Sequence, residues 1–422
     1  MGHPPRPGTG SEADASHQAG MVPDRAHGPI DCRPRTRPWP PLWSPQSVLA
    51  ATLALISLVC SGGAAAQGLG PPPALPAVPA LSPARPTRDP LGVWLTTVDS
   101  PVLRDPAAAA QARRFLRQEG FSRAAIPLQT GGLLTWPALA HNNPLGLALD
   151  PELPSSDHSA ELLRGLRDDG LRTVGWFEFG LMAPARAPWL QGRGDLLLQR
   201  RDGTVLWLEG GRIERVWLNP GAAAVQEGLV ALVVDACTRL PVDLIQFDDH
   251  LGHPADFGYD PLSLQQWRRT AAGSADPEPA AGDPAWRAWR AGRVTALLRR
   301  IRTAMAQHCP TVRLSISPNP QAFSYRTYLA DWLGWVQAGL VDEVVVQLYR
   351  DSSAALAREL AQPSLRMAGQ RVPVRIGLLA GLKGQVRPLT RLQQDIAQVR
   401  ARGLPAVDLF FYESAREQRQ RP

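Results

Sequence analysis

Val242-Asp243-Leu244-Ile245-Gln246-Phe247-Asp248-Asp249-His250 is an apolar run that ends abruptly in two carboxylates, and a loop containing Gly252 and Pro254 follows at once. Charged residues directly after a buried strand mark the place where a parallel α/β fold presents its chemistry. Strand side chains alternate, so Gln246 and Asp248 share one face while Phe247 and Asp249 share the other. A glutamine fits badly between a strand and its covering helices. It is tolerable inside the polar mouth of a barrel, so Asp248 is expected to point inward.

The same pattern repeats on both sides of this stretch. Short apolar runs alternate with amphipathic segments of helical length, as in a parallel sheet with crossover helices. The strands expected are Leu91–Val98, Arg123–Thr130, Thr173–Gly180, Leu244–Asp249, Val312–Asn319, Glu343–Tyr349, Val374–Gly381 and Ala406–Ser414. Helices are expected over Pro106–Glu119, Ser159–Asp169, Trp286–Gln307 and Leu389–Arg402. Eight such units predict an α/β fold of the (β/α)8 TIM barrel type, with its active site at the C-terminal ends of the strands. An open doubly wound sheet is the alternative, and it lacks a Gly-rich phosphate turn after the first strand. Two connections exceed a plain crossover. Asp195 to Trp207 alternates around Asp202-Gly203 and predicts a β-hairpin insertion after strand 3; His250 to Asp283 forms a long loop after strand 4 that could wall a substrate.

The barrel is expected to occupy 89–422. Residues 1–66 read as a leader and signal peptide: Arg33, Arg35 and Arg37 precede the apolar centre Val48 to Val59, and Ala64-Ala65-Ala66 follows. That centre is shorter than the ~20 residues of a membrane span, and Val59 stands before Cys60 where lipidation wants a small residue. Met1 and Met21 are both possible starts. Residues 67–88 form a Pro/Ala linker. These features predict an exported protein, periplasmic or extracellular, with an uncleaved signal as the anchored alternative. Cys237 and Cys309 sit among apolar helical neighbours and read as buried free thiols rather than a pair. Lys383 is the only lysine among 45 basic residues; the arginines are scattered along helices among Asp and Glu, so no nucleic-acid partner is expected.

Parity along the strands gathers a polar set at one mouth. Trp176 and Glu178 fall together on the third strand, Ser317 and Asn319 on the fifth, Gln347 and Tyr349 on the sixth, and Phe411 and Glu413 on the last. Several carboxylates over one mouth are what glycosidic cleavage requires: an acid for the leaving oxygen, and a carboxylate as nucleophile or base beside an oxocarbenium-like transition state. Asp248, Glu178 and Asp249 are the expected catalytic residues. Glu178, set between aromatic neighbours that should desolvate it, is the expected proton donor. The plainer reading, in which these acids cap helices or pair with arginines, serves one Asp better than the whole set. Trp94, Asp99, Trp176, Gln246, His250, Asn319, Gln347, Tyr349 and Glu413 are expected to bind substrate. With 13 Trp against 5 Tyr and 9 Phe, Trp94, Trp136, Trp176 and Trp207 offer indole faces for sugar rings or for core packing. His250 and His253 beside Asp248 suggest zinc, but no third nitrogen or thiol stands at useful spacing. No metal or other cofactor is expected.

At these residues the chain resembles the bacterial family-10-like glycosyl hydrolases, a (β/α)8 barrel group of envelope and secreted proteins. The resemblance lies in Leu91 to Ser100, in Ile245-Gln246-Phe247-Asp248-Asp249-His250 with Phe257-Gly258-Tyr259-Asp260, in Leu314 to Pro320, and in Gly339 to Arg350. It covers Leu91 to Glu413 and implies hydrolysis of polysaccharide; some members act on peptidoglycan glycan strands stripped of their peptides. His250 departs from the family, which often places an aromatic after Asp-Asp. The expected protein is an exported glycoside hydrolase acting on polysaccharide without a stable protein partner. The alternative is a carbohydrate-binding pseudoenzyme on the same barrel.

Overall fold

The computed structural model describes residues 91–382 and 385–420. The leader, linker and signal segments expected over 1–88 lie outside these residues. Among the described residues no helix is long and apolar enough to cross a membrane.

Eight parallel strands close into a barrel: β1 (Leu91–Trp94), β2 (Arg123–Thr130), β3 (Arg172–Phe177), β4 (Leu244–Asp248), β5 (Arg313–Ser317), β6 (Glu343–Gln347), β7 (Val374–Leu379) and β8 (Val407–Phe410). Gly92 stands opposite both Arg123 of β2 and Asp408 of β8, which completes the ring. Alternation along the strands sorts their side chains into two separate cores. Ile245, Phe247, Val344, Val346, Ile376 and Leu409 face the helices and join the large outer core. Trp94, Ala125, Val174, Trp176, Leu244 and Val345 fill the barrel interior, with Phe410 packed against them. The expected helices form with their ends moved by a residue or two, over Pro106–Gln118, His158–Asp168, Pro284–His308 and Leu389–Arg400. Asp105 and Asp283 cap the first and third of these by accepting from Ala107 N and Trp286 N.

Beneath the apolar interior lies a charged floor. Arg123 and Arg375 meet Glu343 and Asp408, all at most 5 % exposed. Arg123 Nη1 lies 2.7 Å from Glu343 Oε1, and Arg375 Nη2 lies 2.5 Å from Asp408 Oδ1. Ser315 Oγ donates to Glu343 Oε1 at 2.9 Å. Two cations and two anions cancel, which is what permits their burial. A Cβ on Gly92 would run into the Asp408 carboxylate and Arg123, so the floor needs glycine there.

Three expectations are corrected. Cys237 and Cys309 are joined in a disulfide across 72 residues, with Cα atoms 6.0 Å apart. The apolar surroundings that signalled burial are real, but burial does not distinguish a thiol from a cystine; the pairing depends on two helices, Ala223–Arg239 and Pro284–His308, lying side by side. The Asp202-Gly203 turn forms, with Arg200 N donating to Thr204 O at 2.9 Å, yet its arms do not pair along their length as strands. The ladder comes one segment later: Trp207–Glu209 pairs with Ile213–Trp217, which also pairs with Met182–Pro184. Leu197 and Arg200 instead bridge to Leu218 and Phe257. The last strand ends at Phe410, and Tyr412–Gln420 is helical, so Glu413 sits on a helix rather than a strand.

The loop after β4 holds two short helices, Pro261–Arg268 and Ala271–Ala275, and its own small core of Tyr259, Trp267 and Trp286. Arg290 pins it by donating to the carbonyls of Ala255 and Phe257.

Candidate active site

The C-terminal ends of β2 to β6 bring the site together. On β4, Gln246 and Asp248 do face inward. Gln246 is fully buried; it accepts from Trp94 Nε1 at 2.9 Å and donates to Ser315 Oγ at 3.0 Å. Two residues on, half-buried Asp248 reaches the mouth, where its Oδ1 accepts from Gln347 Nε2 at 2.5 Å and from Asp249 N at 2.9 Å. Gln347 is itself steadied by Ser317 O at 2.8 Å. Asp249 Oδ2 accepts from Asn319 Nδ2 at 2.6 Å. Asp248, Asp249, Asn319 and Gln347 thus form one hydrogen-bonded group across three strand ends.

Glu178 enters from the end of β3. Its backbone N donates to Gln129 O, Gly180 N donates to Gln129 Oε1, and Thr130 Oγ1 donates to the Glu178 carboxylate at Oε2. Parity alone would turn Thr130 away from the mouth, but β2 shifts register between Pro127 and Gln129 and carries the hydroxyl to Glu178. His250 Nδ1 lies 2.8 Å from Glu178 O. A carbonyl only accepts, so Nδ1 carries the hydrogen and Nε2 of the neutral ring is the remaining acceptor. Gly180, at φ 51°, allows His250 to approach: a Cβ there would stand 2.9 Å from His250 O.

Burial and like charge shape the acids. Burial raises the Glu178 carboxyl above its ordinary range, against the lowering pull of the Thr130 hydroxyl and His250. Asp248 is raised well above its ordinary value by burial and then by Asp249 and Glu178. Two carboxylates this close resist carrying two charges. Tyr349, raised far up by burial and by Asp248 and Asp249, stays a phenol and a hydrogen-bond donor. Tyr328 behaves likewise, pushed up to about 12 by burial, Asp249 and Glu209.

Other expected site residues lie elsewhere. Trp94 and Trp176 are at most 2 % exposed and Gln246 not at all, so they support the mouth from below and offer no face to a sugar. Trp136 is also buried and donates to Asp235. Asp99 is exposed at the tip beyond β1, at φ 61°. Glu413 accepts from Ser100 and pairs with Arg416 on its own helix. Among the described residues, Asp248, Asp249 and His250 are the one group spaced to hold a cation, one ligand atom each within 4.8 Å. Asp248 and Asp249 accept from amides, and His250 Nδ1 lies against a carbonyl. His253 is separate: buried, bonded to Pro254 O, and held down to about 3 by burial and Arg290.

Thr130, Tyr328, Glu209 and Arg215 join the site without a signal in the sequence, whereas Ser317, which strand parity placed at the mouth, accepts from Gln347 Nε2 through its backbone oxygen. Glu209 and Arg215 stand on the rim ladder at half-buried positions, and both act electrostatically on Glu178. Around them Trp207, Trp217, Tyr328 and Phe323 form a chain of ring contacts at 5.6 to 6.1 Å that walls this side of the mouth.

A profile of the glycosyl hydrolase-like 10 family matches residues 90–397. The chain belongs to the glycosyl hydrolase-like 10 family. It is 23 % identical over 355 residues to glycosyl hydrolase DigH of Escherichia coli K12, covering 73 % of this chain and 76 % of that one. The PgaB (BpsB) glycoside hydrolase domain from Bordetella bronchiseptica has a similar fold, with a TM-score of 0.62 at 12 % identity over 78 % of this chain and 96 % of that domain. Alpha-L-fucosidase isoenzyme 2 from Paenibacillus thiaminolyticus follows at a TM-score of 0.56 and 13 % identity, over 76 % of this chain and 45 % of the fucosidase. The (β/α)8 barrel is therefore that of a glycoside hydrolase-like protein.

Proposed function

We propose that this member of the glycosyl hydrolase-like 10 family is an exported glycoside hydrolase that cleaves O-glycosidic bonds of a polysaccharide, with peptidoglycan glycan strands as the first candidate polymer. The observation that carries the reading is the convergence of Glu178 and the Asp248–Asp249 pair at one mouth, where burial raises the Glu178 carboxyl and burial with the neighbouring carboxylates raises that of Asp248. Glu178, oriented at Oε2 by Thr130, gives its proton to the leaving oxygen through the other carboxyl oxygen. The Asp248–Asp249 pair, which does not readily carry two charges, supplies the single negative charge that faces the oxocarbenium-like carbon. Gln347 and Asn319 fix those carboxyls in place, and the phenols of Tyr349 and Tyr328 remain donors for sugar hydroxyls. The signal-like segment before Gln67 supports export, as does the Cys237–Cys309 disulfide, since such bonds persist in oxidising compartments.

The test is incubation of the purified protein with a panel of glycans that includes denuded peptidoglycan, with products analysed by mass. Cleavage by the wild type and its loss in Asp248→Asn is the expected result. Glu178→Gln should lose about 10²- to 10⁴-fold on unactivated glycosides and far less on aryl glycosides with good leaving groups. Binding without cleavage by the wild type would transfer the site to the carbohydrate-binding reading. N-terminal sequencing of protein from its native host should begin near Gln67; an intact leader in a membrane fraction would make it an anchored enzyme.

A further inference from the structure

Of the four tryptophans whose indoles could meet a sugar, Trp94, Trp136 and Trp176 are buried, and Trp207 alone keeps part of its surface. It stands on the rim ladder, where Trp207 pairs with Arg215 and Glu209 with Ile213. Paired residues share a face and successive side chains alternate. Trp207, Glu209, Ile213, Arg215 and Trp217 therefore lie on one face, and Leu208 and Glu214 lie on the other. The inner end of the first face belongs to the mouth. Fully buried Trp217 packs with its ring centroid 6.0 Å from that of His250 and 6.1 Å from that of Tyr328, and Trp207 meets Trp217 edge-on at 5.6 Å. Arg215 lies over Phe179, the residue after Glu178, 5.0 Å from the ring centroid. The outer end is open, with Ile213 51 % exposed.

Beside the indole stands an ion pair with capacity to spare. Arg215 Nε donates to Glu209 Oε2 at 2.7 Å. The two Nη groups of Arg215 and Oε1 of Glu209 have no hydrogen-bond partner among the described residues and are not sealed from solvent. A flat apolar ring next to free donors and acceptors matches the two aspects of a pyranose, C–H groups on its faces and hydroxyls around its edge. An apolar protein partner would leave the same charges buried and half-paired, at a cost in free energy. We propose that this face of the rim ladder is a sugar-binding subsite continuous with the mouth, in which Trp207 stacks on a pyranose of the bound polysaccharide and the Glu209–Arg215 pair hydrogen-bonds its hydroxyls. The subsite deepens the hydrolase reading and rests on it only for the cleavage that follows binding. The Trp217 ring stands between Trp207 and His250, so the sugar held by Trp207 is not the one whose bond is broken. The subsite therefore reads chain length: it adds nothing for a sugar that fills only the mouth and strengthens the hold on a longer chain.

The experiment is calorimetric titration of the non-cleaving Asp248→Asn protein with oligosaccharides of increasing length from each polymer of the glycan panel, beginning with denuded peptidoglycan. Affinity should rise with length. Trp207→Ala in that background should remove most of the rise, weakening the longest chains about 10-fold or more and the shortest far less. Trp207→Phe, which keeps a flat ring, should restore part of it. Leu208→Ala, on the opposite face of the same strand, should leave the length dependence intact and so separates the subsite from a general loosening of the ladder. An equal loss at every length, a rise that survives Trp207→Ala, or binding of no glycan overturns the proposal. The hydrolase reading is judged apart. A wild type that binds long chains through Trp207 yet cleaves none keeps the subsite and loses the hydrolysis; cleavage by the wild type with the length dependence of binding intact in Trp207→Ala keeps the hydrolysis and removes the subsite.

Discussion

At Asp248 the fold keeps a carboxyl group against both burial and a neighbouring charge, and the group's proton affinity rises as a result. A folded-state value raised above the unfolded one means that the native protein binds the proton more tightly. The associated stability is present at acidic pH and is lost as pH rises through the raised value. Asp248→Asn removes that cost while still offering an oxygen to Gln347. The variant should therefore melt higher than the wild type at neutral pH and lose roughly 10⁴-fold in turnover. A calorimetric scan beside the glycan assay checks both; a lower melting temperature would show that the carboxylate serves stability. The same residue shows how far reading by parity reaches. Asp248, Asn319, Gln347 and Tyr349 were legible because their strands run straight to the mouth. Thr130 was not, because the bulge in β2 reverses its face.

Between the residue and the barrel stand the elements that hold the strands in place. Helices Ala223–Arg239 and Pro284–His308 flank β4 in the chain, and the Cys237–Cys309 bond ties the end of one to the end of the other. Closing a loop of 72 residues removes unfolded-state entropy worth on the order of 4 kcal/mol. Cys309→Ser, or treatment of the wild type with reductant, should lower the urea midpoint accordingly. If reductant changes nothing in the wild type, the two thiols are free in solution. The rim ladder teaches a complementary lesson. Its Asp-Gly turn was readable, yet the strand pairing fell to Trp207–Glu209 and Ile213–Trp217 because Ile213–Trp217 has Met182–Pro184 on its other side. A third strand decided the register, and local turn chemistry does not encode a third strand.

Two layers of buried acids inside the barrel behave oppositely. In the floor, burial would raise Glu343 and Asp408, but Arg123 and Arg375 outweigh it and hold both acids low. Their contribution is full above the unfolded value of about 4 and is lost as pH falls through the lowered folded values. In the mouth, Glu178 and Asp248 are raised, and their contribution declines as pH climbs. The melting temperature should accordingly peak at mildly acidic pH. A Glu178→Gln, Asp248→Asn double variant should flatten the alkaline side and leave the acid side unchanged. Thermal scans across pH decide this, and an alkaline decline that survives in the double variant would place its source elsewhere. At this scale the sequence by itself determined the count of eight strands, their inward and outward faces and the site at their C-terminal ends, because hydrophobic periodicity and strand parity are local properties of the chain. Only the tertiary structure decided that Cys237 meets Cys309, that Trp94, Trp176 and Gln246 lie under the mouth, that Glu413 leaves it, and that Arg215 and Glu209 enter it. Each of those outcomes depends on which distant segment packs alongside, and that is fixed by barrel closure and by the route of the inserted loops.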